Sequence, residues 1–183
     1  MASINLNNIN YNYINSYTIF IILFIFHLLF IFQGLDVTDT GWCLTNQVQA
    51  FAFPNELNYL DPSGLTSIAP MIFLTDLIGG FWLSLIGGPS LLWARLGGAL
   101  VFALNASIIF SILTNYFERK RTFIAVMIST IFLTCGYGYY ILDYYYLPAF
   151  LINIELWIFN KAFLDQENGN LYNFMLGFMI VPI

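Results

Sequence analysis

The sequence predicts an all-α fold: a polytopic transmembrane helical bundle with an extracytoplasmic first loop carrying interfacial helices. Three observations predict it. Of 183 residues, 60% are hydrophobic and only 8% charged, against about 25% charged in a soluble domain. So few charges cannot cover a water-facing surface, and the outside of the fold must meet lipid. The apolar residues gather into runs near crossing length, and at roughly 20 residues per crossing the chain has room for four or five spans. Aromatic residues make up 19%, with 12 Tyr and 4 Trp, and amphipathic rings suit the membrane–water interface.

Each element follows in order. Residues 1–17 are rich in Asn, Tyr and Ser and carry no charged side chain. They lack the basic start and the small-residue cleavage site of a secretory signal. The first apolar run, 18–33, is therefore a retained span. Residues 34–90 form an outer loop. Its first part holds Asp36, Asp39, Glu56 and Asp61 without a Lys or Arg and is broken by Pro54, Pro62 and Gly64. Its second part, 71–86, is apolar again but contains Asp76 and the Gly79-Gly80 pair. That stretch offers about 24 Å of helix against roughly 30 Å of hydrocarbon, so it is expected to lie in the interface with Asp76 turned to water. Further spans are expected at 91–117, 122–142 and 144–163, with another starting at 171.

Topology follows from the sole basic cluster, Arg119-Lys120-Arg121. Lys and Arg beside span ends stay cytoplasmic; Lys161, two crossings later, falls on the same side, and loop 34–90 falls outside. The last apolar run, 171–183, reaches only about 20 Å as helix. A span that stops partway leaves carbonyls unpaired in lipid, so the chain is expected to be the N-terminal part of one longer transmembrane domain covering 1–183.

Several classes are set aside. Five Lys and Arg in total cannot build the basic patch that nucleic acid requires. Cys43 and Cys135 are too few for a metal cluster or disulfide framework and read as two unpaired thiols. The Asn105-Ala106-Ser107 glycosylation match lies inside an apolar run and reads as chance.

Ionisable groups in or beside lipid are functional candidates because they cost about 2.5–3.5 kcal/mol there. Asp143 stands at the outer end of the third span within a run of tyrosines. Glu155 falls halfway along the fourth, where the plainest expectation is a neutral carboxyl paired with another helix. Arg95 opens the second span, suited either to reach headgroups or to hold a phosphate. Asp36 and Asp39 follow the first span, a spacing that by itself is also that of ordinary loop acids.

The order of these features resembles the GT-C superfamily of membrane glycosyltransferases, in particular the branch of protein O-mannosyltransferases and lipid A aminoarabinose transferases. The residues that carry it are Asp39-Thr40-Gly41-Trp42, the glycine turn Ile86-Gly87-Gly88, the segment Arg95-Leu96-Gly97-Gly98-Ala99-Leu100, Leu142-Asp143 with its tyrosines, and Phe174-Met175-Leu176-Gly177-Phe178. Two positions depart from that branch. Ser67-Ile68-Ala69-Pro70 has the proline without a preceding cation, and Thr40 stands where an acid is common.

The resemblance implies transfer of a sugar from a polyprenyl-phosphate-linked donor to an acceptor on the outer face, by an inverting mechanism with an Asp base. It implies Asp39 as base with Asp36 as the local alternative. Asp143 would orient the acceptor or hold a divalent metal ion, and Arg95 would pair with the donor phosphate. The implied partners are membrane lipid, the lipid-linked sugar and an acceptor hydroxyl. The Asn, Ile, Tyr and Phe bias of the sequence leaves the setting open between a bacterial plasma membrane, the favoured one, with the active face outside, and the endoplasmic reticulum. Two other classes remain open: a transporter or channel piece using Glu155 and Asp143 as an ion path, and a non-catalytic membrane subunit.

Overall fold

The structure, a computed structural model, describes residues 13–32, 43–44, 47, 69–85, 90–136 and 146–164. Among them are five α-helices and no strand: α1 (Ser16–Leu28), α2 (Ala69–Ser84), α3 (Leu91–Leu113), α4 (Arg119–Gly136) and α5 (Tyr146–Leu164). Two of them, α3 with 23 residues and α5 with 19, are long and apolar enough to cross a membrane.

Local chemistry fixes the ends. Asn15 caps α1 by accepting from the Thr18 N–H at 2.9 Å, and Ser90 caps α3 through the Trp93 N–H, as side-chain oxygens do for orphan donors. The α-helix of α1 stops at Leu28, five residues before the expected end of its span. Beyond it the backbone tightens into turns, with Phe30 N–H donating to His27 O at 3.0 Å and Ile31 N–H to Leu28 O at 3.3 Å. The expected run 91–117 ends as helix at Leu113. There the Thr114 hydroxyl donates to Ser111 O at 3.1 Å, and Asn115 and Tyr116 bond three residues back. By contrast, α4 starts three residues early and takes the basic cluster into its first turn. For that reason it is less apolar than the run 122–142 read by itself.

Every substantial helix–helix contact among the described elements involves α3. Its buried face is built from small residues, Ala94, Gly97, Gly98, Ala99, Ala103 and Ala106, which let neighbouring backbones approach closely. Against it α1 lays Ile19, Leu23 and His27, all fully buried, at the i, i+4, i+8 spacing of one helical face. Ile19 and Leu23 share one apolar cluster with Ala103, Ala106 and Phe110 of α3 and Val126 of α4. The opposite face of α1, Tyr17, Ile21, Ile25 and Leu29, is exposed, an apolar stripe that water would penalise and lipid would not.

Residue pairing gives the directions. Ile31 meets Arg95 and His27 meets Phe102, while Ile19 and Leu23 lie with residues 103–110; α1 and α3 are antiparallel. Between α3 and α5 the pairs climb together. Asn153 Nδ2 donates to Asn105 Oδ1 at 2.7 Å, and Trp157 Nε1 to Ser111 Oγ at 3.3 Å. Asn115 Nδ2 donates to Asn160 Oδ1 at 2.7 Å, and Asn160 Nδ2 to the Tyr116 hydroxyl. These two helices are therefore parallel. Asn105 is thus a part-buried interhelical contact.

Candidate functional site at the Arg95 end of the bundle

The antiparallel pairing of α1 and α3 brings the C-terminal end of one beside the N-terminal end of the other. Arg95, one turn into α3 and 6% exposed, donates from Nη1 to the Ile31 carbonyl at 2.7 Å. Carbonyls at a helix C-terminal end have no intrahelical donor, and a cation there is favoured by the helix dipole. The guanidinium is thus drawn inward, where sequence reading offered headgroup contact or phosphate binding. A guanidinium has five N–H donors in all.

His27 lies one turn before Ile31 and is fully buried. Its Nδ1 bonds the Leu23 carbonyl at 2.5 Å. A carbonyl only accepts, so Nδ1 carries the proton. The ring packs on Phe102 with centroids 4.6 Å apart, and the far edge of Phe102 meets Tyr146, the first residue of α5, at 5.6 Å. Phe102, midway along α3, therefore bridges the end of α1 and the start of α5. Sequence reading passed over His27, since a lone histidine in an apolar run carries no spacing signal.

The α2 helix is fastened to the same end. Trp82 and Trp93 stack at 4.7 Å, 8° from parallel, and each indole N–H donates to the other's backbone carbonyl at 2.8 Å. Gly97 admits this pair, because a Cβ there would stand 2.6 Å from Trp82 Nε1. Gly79 does the same for Gln47, whose side-chain carbon would lie 2.3 Å from an added Cβ. Asp76, expected to face water, is 3% exposed, and burial pushes its carboxyl up to about 6. The apolar contacts of α2 turn this face inward, against the expectation.

Of the four residues singled out for chemistry, Arg95 alone lies within the described residues; Asp36, Asp39 and Asp143 lie outside them, as does Cys135's side chain. Cys43 is buried and forms no disulfide. Among the described residues no group of three His, Cys, Asp or Glu converges as a metal site would require.

Glu155 is half-buried, and its Oε1 is buried without a hydrogen-bond partner, so the helix pairing expected for it is not made among the described residues. A groove of about 390 Å³ opens between α3, α4 and α5, lined by residues that include Asn105, Ala125, Ser129, Tyr146, Ala149 and Asn153. Glu155 is not part of its lining. Compared with family models, curated proteins and solved structures, the chain matches none.

Proposed function

We propose that this chain belongs to a polytopic membrane glycosyltransferase of the GT-C type, using a polyprenyl-phosphate-linked sugar on the outer face of a bacterial plasma membrane. One observation supports the reading above others. The C-terminal end of α1 meets the N-terminal end of α3 through Arg95–Ile31, and Phe102, midway along α3, lies between His27 of α1 and Tyr146 at the start of α5. Asp36 and Asp39 follow Phe32 by four and seven residues, and Asp143 precedes Tyr146 by three, stretches of at most about 25 Å of chain. Chain length therefore allows all three carboxylates to reach the end where Arg95 sits, as the reading requires. The antiparallel order of α1 and α3 also keeps residue 90 at the end where α1 finishes, which suits an α2 that lies in the interface.

In this reaction Asp39 takes the proton of an acceptor hydroxyl as that oxygen bonds the anomeric carbon. The bond from that carbon to the phosphate oxygen breaks on the opposite face, and the electron pair leaves with the polyprenyl phosphate. Asp143 orients the acceptor or holds a divalent ion through hard oxygen ligands. The charge left on phosphate needs a cation, and Arg95 supplies a fork suited to it.

The transporter reading expects Glu155 to line a polar cavity, and the groove among the described residues does not include it. The test is a conservative series in membranes supplied with a labelled polyprenyl-phosphate sugar. Asp39→Asn is expected to abolish release of polyprenyl phosphate. Full turnover in Asp39→Asn with none in Asp36→Asn would make Asp36 the base, and no donor consumption by the unaltered chain would remove the enzyme reading.

A further inference from the structure

Four of the protein's five Lys and Arg residues, Arg119, Lys120, Arg121 and Lys161, gather at the opposite end of the bundle from the site above. The first three open α4. Lys161 lies in the last turn of α5, beside Asn160, which is bonded to Asn115 and Tyr116 in the turn that leads into α4. Tyr116 and Phe117 in that turn are exposed, as aromatic side chains are at headgroup level.

The groove between α3, α4 and α5 runs down toward this end. On α4 it is lined by Ala125, Ser129 and Leu133, four residues apart and so on one face. One turn further back on that face is Arg121. Its side chain is 85% exposed, and its contact with Glu118 at 3.2 Å is an exposed i, i+3 pair, of the kind that contributes little and yields to a competing anion. From Arg121 to Leu133 is about 18 Å of helix, close to half of the roughly 30 Å hydrocarbon core. An apolar slot one leaflet deep thus ends at a cluster of cations.

We propose that this slot is a binding site for an anionic phospholipid of the cytoplasmic leaflet, with one acyl chain in the α3–α4–α5 groove and the phosphate at Arg121 and its neighbours. The inference rests on the reading that the bundle spans the membrane, though not on glycosyl transfer. Charge complementarity selects the headgroup: a basic cluster beside a span attracts anionic lipid near the surface. A zwitterionic lipid gains the groove but not that attraction. In the lining, the Asn153 amide N–H donates to Asn105 Oδ1, which satisfies one donor and one acceptor of the two amides.

The test uses the full chain extracted in mild detergent from membranes containing phosphatidylglycerol and phosphatidylcholine, with retained lipid counted by native mass spectrometry. The expected result is one retained phosphatidylglycerol, favoured at least tenfold over phosphatidylcholine. Arg119→Gln/Lys120→Gln/Arg121→Gln should abolish that preference. Because neutralising a basic turn can disturb insertion, Ala149→Phe, at an exposed groove position, blocks the chain while keeping every charge, and should lower retention at least tenfold. Equal retention of both lipids, or undiminished retention in Ala149→Phe, overturns the inference while leaving the membrane reading intact. Release of the unaltered chain from membranes by alkaline carbonate overturns both.

Discussion

Arg95 makes a structural contact that a substitution can weigh. Its bond to the Ile31 carbonyl is buried, so Arg95→Leu leaves that acceptor unsatisfied and is expected to destabilise the bundle by about 1–3 kcal/mol, read as a lower thermal midpoint in detergent. Asp76 makes a prediction of opposite character. Its carboxyl titrates at about 6, raised from 3.8 by burial, so the folded state holds the proton more tightly than the unfolded one. Stability is then greatest below about pH 4, declines as pH rises through the interval from 4 to 6, and stays at the lower level above it. Asp76→Asn should flatten that dependence; a midpoint that still falls over the same interval in the variant would assign the effect to another group. Neither residue's environment was legible from the sequence. An isolated acid or cation in an apolar run is compatible with facing water, headgroups or a neighbouring backbone. The choice is made by which helix packs beside it, information held dozens of residues away.

The existence of the helices was far more legible than what joins them. Apolar runs near crossing length pointed to α1, α3, α4 and α5, and Pro70 with the glycine pair marked α2. Their ends shifted where local hydrogen bonds outweighed hydropathy, as at Thr114 and in the turns after Leu28. What the sequence concealed is the seam between α3 and α5, because Asn105 and Asn153 each stand alone among apolar neighbours, while Asn115 and Asn160 lie beside Thr114 and Lys161 near the ends of their runs. In lipid such pairs hold helices together because their alternative is an unsatisfied amide, and they contribute about 0.6 kcal/mol on average. Asn105→Leu and Asn153→Leu should each destabilise the bundle, and the double variant should cost less than their sum; strict additivity in a double-mutant cycle would deny the pair an energetic role. The junction of α2 with α3 is a second seam. Gly97→Ala would set a methyl 2.6 Å from the Trp82 ring nitrogen, a rigid neighbour that must move. It is expected to cost about 1–3 kcal/mol and to erase the near-ultraviolet circular dichroism couplet of two stacked indoles. A couplet unchanged in Gly97→Ala would mean that α2 is held there by other contacts.

At the scale of the whole molecule the argument turns on parity. Because α1 and α3 are antiparallel and α3 and α5 parallel, the start of α1, the turn at Thr114 to Glu118 and the end of α5 share one end of the bundle. The end of α1, the start of α3 and the start of α5 share the other. Lipid enforces such alternation, since each crossing must satisfy its own backbone and reverse outside the hydrocarbon. If the bundle spans a membrane as proposed, the basic cluster would set the cytoplasmic end, and one cation-rich turn would orient every element at once. This predicts the labelling of single cysteines by a membrane-impermeant thiol reagent in intact cells, with Cys43 and Cys135 replaced by Ser. Cysteines in place of Phe32 and Ser90 should react from outside. Those in place of Tyr13 and Tyr116 should react only after lysis. If Phe32 and Ser90 were found on opposite sides, α2 or the chain before it would have to cross once. The antiparallel pairing of α1 with α3 could not then persist in the membrane, and the convergence at Arg95 that supports the enzymatic reading would go with it. If instead both pairs were inverted together, the bundle would stand as described but face the other way. The tethered carboxylates would then open to the cytoplasm, where the same geometry would have to be reconciled with a different substrate.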